Sequence, residues 1–93
     1  FDDGSGHVYA VTNPAWPEWV KIGMTIDIHA RIDAYQTYSP NKDYNVAESV
    51  EVRNRRYSEN LAHRRASDRS TDFSREWFKV PLTEVVDILA SLD

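Results

Sequence analysis

Four residues suited to phosphate chemistry fall in four different stretches of this chain: Tyr9, Lys21, Arg31 and Glu59. A phenol can handle a proton, two cations can neutralise phosphate charge, and a carboxylate can hold a divalent metal. Together they suit a site for a phosphodiester. Arg56, Glu59 and His63, at i, i+3 and i+7, share one stripe of a helix. Each residue also has a plainer reading. Arg31 can form an i, i+4 salt bridge with Asp27, and Glu59 can pair with Arg55 or His63, each such pair being worth about 0.2–0.5 kcal/mol. Tyr9 can pack across a sheet, and Lys21 can be a solubilising charge. His7 and His29 have no carboxylate or second histidine at a metal-ligand spacing.

The proton chemistry sets a demand. A free phenol titrates near 10, so about one in a thousand is ionised at pH 7. Bringing that value near 7 requires a preference of about 4 kcal/mol for the phenolate. An adjacent ammonium or a metal can supply it, so Lys21 on the face of Tyr9 would make the tyrosine usable as a base. Arg31 would then bind the non-bridging oxygens as charge builds in the transition state.

The elements that must position these groups follow from periodicity. "HVYAV", residues 7–11, alternates like a strand and places Tyr9 opposite in face to Val8 and Ala10. "TNPAWP" is a proline-marked turn, and "EWVKIG" is a second strand with Val20 and Ile22 on the face opposite Lys21. The pair reads as an antiparallel hairpin with Tyr9 and Lys21 on one face. Thr25 or Asp27 can cap a helix whose Ile28, Ile32 and Tyr35 form an apolar stripe. "YNVAESVEV", residues 44–52, suits a third strand, and "RRYSENLAHRRAS", residues 55–67, a helix with Tyr57, Leu61 and Ala62 facing in. "STDFS" reads as a loop and "EWFKV" as a short extended piece. Thr83 caps a last helix that seals the core with Val85, Val86, Leu89 and Leu92. The expectation is an α+β domain: a small three-stranded antiparallel sheet in a β-β-α-β-α core, followed by a short extended segment and a C-terminal helix.

Ninety-three residues suit one domain. The chain opens on Phe1, which reads as a fragment or trimmed form, with residues 1–6 a flexible tail and residues 7–93 the domain. No cysteine occurs, so disulfides and thiolate metal sites are excluded. The sequence has no membrane-spanning run or signal-peptide core, and a cytoplasmic setting is expected. The net charge of −4 argues against nucleic acid, but its distribution weakens that objection. Residues 53–75 carry seven arginines against three acids, a local charge of +4. Arg55, Arg56, Arg64 and Arg65 could hold a phosphate backbone, because the field near a groove matters more than the total. A solvated arginine-rich helix face is the competing explanation.

Taken in order, "GHVYAVTNP", "WVKIGMTIDIHAR", "ENLAH" and "REWF" resemble the GIY-YIG nuclease superfamily, in particular a phage and bacterial branch with G-x-V-Y and V-K-I-G motifs. The resemblance spans about residues 6 to 80. It implies a nuclease core that cuts DNA with a single Mg²⁺ or Mn²⁺ ion in a bacterial or phage-infected cell. It also implies that Tyr9 takes the tyrosine role and serves as general base. Lys21 stands where many members have a second tyrosine, Arg31 matches the helix arginine, and Glu59 matches the metal-binding glutamate. Gly6 is displaced by one position from the first motif, with His7 beside it, and the second tyrosine is missing. Glu76, like His63, is a possible accessory residue. It could orient Arg75 or the backbone, or anchor the last strand beside Trp77. Two rival readings stand beside the nuclease: a catalytically weak or inactive nucleic-acid-binding module of the same fold, and a protein-interaction domain. An attached recognition domain would account for an acidic domain acting on DNA.

Overall fold

The structure, a computed structural model, describes residues 3–37 and 39–92. In chain order it runs β1 (Gly6–Thr12), β2 (Trp19–Thr25), α1 (Ile28–Thr37), β3 (Asn45–Val52), α2 (Arg55–Arg69), β4 (Asp72–Ser74), β5 (Trp77–Lys79) and α3 (Leu82–Ala90). The α+β class is as expected, but the sheet has five antiparallel strands rather than three, in the order β3-β1-β2-β5-β4. The two additional strands come from "STDFS", which is not a loop, and from "EWFKV". Ser74 pairs with Trp77, so Arg75 and Glu76 make a two-residue hairpin turn. Such turns usually announce themselves by Asn-Gly or Asp-Gly. Here Arg75 takes the left-handed conformation itself, at φ 58°, and leaves no turn signature in the sequence.

Strand alternation divides the sheet into two unlike faces. Val8, Ala10, Val20, Ile22 and Phe78 join Ala62 and Ala66 of α2 and Val85, Ile88 and Leu89 of α3 in one apolar cluster. Burying each large aliphatic side chain there is worth roughly 1.5–3 kcal/mol. The buried stripe of α2 is Arg55, Ser58, Ala62 and Ala66. Tyr57, expected to face in, is 66% exposed, and Leu61 is half-buried. Ser58, Ala62 and Ala66 on the inner stripe are small and allow the helix to lie close to its neighbours, where a tyrosine ring would hold it away. The last helix is capped by Pro81, with no side-chain cap hydrogen bond, rather than by Thr83.

The opposite face carries Tyr9, Val11, Lys21 and Gly23, and α1 lies over part of it. The cap of α1 is as expected: the Ala30 amide donates to Asp27 Oδ1 at 3.1 Å. None of the ten residues of α1 is fully buried. Strand β1 begins at Gly6, where an added Cβ would lie 2.6 Å from the Thr25 carbonyl oxygen, so a close backbone approach requires glycine. Of the tail expected at residues 1–6, Phe1 and Asp2 lie outside the described residues.

Candidate active site

Register places the first functional pair. Tyr9 lies opposite Gly23, and Lys21 opposite Val11, so Tyr9 and Lys21 are diagonal neighbours on one face of the hairpin. The Tyr9 ring crosses over Gly23, where an added Cβ would come within 2.6 Å of the phenolic oxygen. The glycine of "VKIG" is thus the space the ring occupies.

A second phenol completes the pair. Tyr35 of α1 packs edge-on to Tyr9, with ring centroids 6.1 Å apart, and its hydroxyl lies 3.3 Å from that of Tyr9. Lys21 Nζ donates to the Tyr35 hydroxyl at 2.7 Å. Lys21 therefore reaches Tyr9 through Tyr35. Sequence reasoning placed Tyr35 in an apolar stripe and missed this role. Its spacing of four residues from Arg31, one helical turn, was the available signal.

Burial holds the Tyr9 phenol well above its ordinary range, and its hydrogen bond to Tyr35 adds to the effect. The positive fields of Arg31 and Lys21 oppose this shift without cancelling it. The expected activation of Tyr9 by its lysine is therefore outweighed, and in the free protein the phenol keeps its proton at neutral pH. Burial likewise raises Tyr35. Arg31 is exposed and forms no ion pair among the described residues. Asp27, its possible partner, is occupied in capping the helix.

The carboxylates enter from the other side of the sheet. Helix α2 packs on the face opposite Tyr9, yet Glu59 meets the Lys21 side at the edge of β2, beyond the point where β5 ends. The Ile22 amide donates to the Glu76 carbonyl at 3.0 Å, which fixes the hairpin turn of β4 and β5 against that edge. Glu76 Oε2 then lies 3.6 Å from Lys21 Nζ, beside the Glu59 carboxylate. Burial raises the Glu59 pKa, and the neighbouring Glu76 raises it further against the pull of His63 and Lys21. Donor atoms of Glu59, His63 and Glu76 lie within 4.8 Å of one another. The His63 Nε2 is 2.8 Å from the Ile22 carbonyl, an acceptor, so that nitrogen carries a proton and is committed to the backbone. Two carboxylates remain as donors. Hard oxygen ligands of this kind fit Mg²⁺ or Mn²⁺.

The arginine block separates into different environments. Arg55 is only 6% exposed, and its Nη1 donates to the Ser5 carbonyl at 2.9 Å, so it braces the start of β1 instead of meeting a ligand. Arg65 is half-buried and donates to Ser91 Oγ at 2.6 Å, toward α3. Arg56 and Arg64 are exposed, with Arg56 on the flank of α2 that carries Glu59 and His63.

An antiparallel sheet with helices on both faces brings two phenols, a lysine and two carboxylates to one strand edge of a small α+β domain. The T5orf172 domain profile matches residues 6–93, and the chain belongs to that family, a phage-associated domain related to nuclease-type folds. No curated protein and no solved structure matches the chain.

Proposed function

We propose that this domain is a metal-dependent DNA endonuclease of the GIY-YIG type that its motifs resemble, hydrolysing phosphodiester bonds with one Mg²⁺ or Mn²⁺ ion. The observation that carries the reading is the position of Lys21 Nζ, 2.7 Å from the Tyr35 hydroxyl and 3.6 Å from Glu76, which joins the phenols to the carboxylates. Glu59 and Glu76 would hold the cation, which when bound supplies charge neutralisation and Lewis-acid polarisation. Lys21 and exposed Arg31 bind the phosphoryl oxygens and stabilise the charge that grows on them. The Tyr35 hydroxyl accepts from Lys21 and shares a hydrogen bond with Tyr9, so it ties the base to the lysine. Tyr9 is the general base: its own proton passes to solvent, and the resulting phenolate, favoured by Arg31 and Lys21, accepts the proton of the attacking water. The domain would act in the cytoplasm of a bacterial or phage-infected cell, with target choice supplied by an attached recognition domain. No helix among the described residues is long and apolar enough to cross a membrane. The proton held by Tyr9 favours a second reading, a DNA-binding module of the same fold that does not cut.

Plasmid nicking with and without Mg²⁺ or Mn²⁺ separates the two. The wild type should nick only with metal. Glu59→Gln keeps the shape and removes the charge, and should reduce nicking at least a hundredfold, on the order of 3 kcal/mol in the barrier. A partly buried carboxylate with a raised pKa costs stability at neutral pH, so the same change should leave the melting temperature unchanged or higher. Normal cutting by Glu59→Gln would remove Glu59 from the metal site.

A further inference from the structure

All three tryptophans of the chain, Trp16, Trp19 and Trp77, line one open cleft of about 400 Å³ together with Tyr44 and Ser74. The apolar core lies elsewhere. Trp16 is 48% exposed and packs edge-on to Trp77, with ring centroids 5.7 Å apart. Antiparallel register sets Trp19 directly opposite Lys79 and Lys21 directly opposite Trp77. Aromatic rings and ammonium groups therefore alternate in a two-by-two grid on one face of β2 and β5. The grid continues into the candidate active site at both ends of its aromatic lining. Lys21 belongs to both, and Tyr44 lies against Tyr35 at 5.3 Å between centroids.

This pattern matches the two parts of an unpaired nucleotide. Bases stack on aromatic faces whatever their sequence, and the phosphates between them need cations at short, regular intervals. A base paired inside a duplex offers no free face to such a cleft. Lys79 has a competing partner, Glu18, at 3.6 Å, but both side chains reach solvent, Glu18 with most of its surface, and such a pair is weak and readily exchanged. Exposed Arg75, next to Ser74, adds a cation at the rim.

We propose that the Trp16–Trp19–Trp77 cleft is a stacking subsite for an unpaired nucleobase, with the adjoining phosphate crossing Lys21, so that single-stranded or locally unpaired DNA is the substrate class. The location of the phosphate rests on the nuclease reading above, whereas the stacking subsite is tested without any cleavage.

Because every tryptophan lines the cleft, intrinsic fluorescence reports on it directly. The metal-free protein is titrated with an oligothymidylate of about ten nucleotides, an abasic oligonucleotide of equal length and charge, and a blunt duplex. The oligothymidylate should quench tryptophan emission and bind at least about tenfold more tightly than the abasic chain. Trp16→Ala should remove that preference while leaving duplex binding unchanged, and Trp16→Phe should retain most of it. Equal binding of the abasic chain and the oligothymidylate by the wild type would overturn the proposal even if a variant failed to fold. So would full oligothymidylate affinity in folded Trp16→Ala. Quenching by single strands in a protein that cuts no DNA would support the subsite and reject the nuclease. Cutting of duplex DNA by a protein without the preference for bases would do the reverse.

Discussion

The Tyr9 phenol is almost completely buried, at 1% exposure, beneath Tyr35 and over Gly23. That environment makes it a poor base in the free protein, because burial penalises the phenolate more than Arg31 and Lys21 favour it. If Tyr9 removes the proton from water, nicking by the wild type should climb about tenfold per pH unit between about pH 6.5 and 9. A plateau near pH 7 in a pH–rate profile would rule the phenol out as the titrating base. Stability carries the same information. A group whose pKa is raised on folding contributes stability that is present below its unfolded value, near 10, and lost as pH rises toward its folded value. Denaturant midpoints of the wild type should therefore fall above about pH 10, and Tyr9→Phe should lose part of that dependence. Tyr35 shifts in the same direction and accounts for another part.

Among the elements, α1 is the weakly held one, though it carries both Arg31 and Tyr35. A helix of ten residues is marginal in isolation, and this one has no fully buried side chain. It is secured by the Asp27 cap, by Gln36 Nε2 donating to the Tyr44 carbonyl at 2.7 Å, and by the Tyr35 hydroxyl accepting from Lys21. Tyr35→Phe removes the last of these, a charge-assisted bond worth roughly 1.5–3 kcal/mol. Amide exchange in α1 should then accelerate about tenfold or more while α2 stays protected. Unchanged exchange in α1 would mean that the helix does not depend on the phenol. Helix α2 behaves oppositely. Its inner stripe of Arg55, Ser58, Ala62 and Ala66 is buried, so Glu59 and His63 project from a rigid support.

At the scale of the molecule, an acidic chain presents a basic stretch with only some of its cations free. The exposed Arg56 and Arg64 can contribute to a phosphate-binding field, whereas Arg55 is spent on Ser5 and Arg65 on Ser91. Reversing Arg56 and Arg64 to glutamate should weaken DNA binding and flatten its dependence on salt, by about 0.9 in the logarithmic slope for each phosphate that is no longer neutralised. Binding isotherms at several salt concentrations measure that slope. An unchanged slope would make these two arginines a solvated face.

Local pattern was enough for the class, the β1–β2 hairpin, the shared face of Tyr9 and Lys21, and a cap of α1 at Thr25 or Asp27, because alternation and capping are properties of adjacent residues. The β4–β5 hairpin was not legible, since its Arg75-Glu76 turn has no glycine or asparagine to mark it. Nor was the inner stripe of α2, where Arg55 and Ser58 are buried despite their polar side chains and Tyr57 is exposed despite its ring. The site divides in the same way. Residue type picked out Tyr9, Lys21, Arg31 and Glu59 as candidates for phosphate chemistry. Only the tertiary structure brought Tyr35 to Lys21, set Glu76 beside Glu59, turned Arg55 inward and raised the Tyr9 pKa. Those outcomes depend on distance and burial between groups far apart in the chain, and both are set when the sheet edge, α1 and α2 come together.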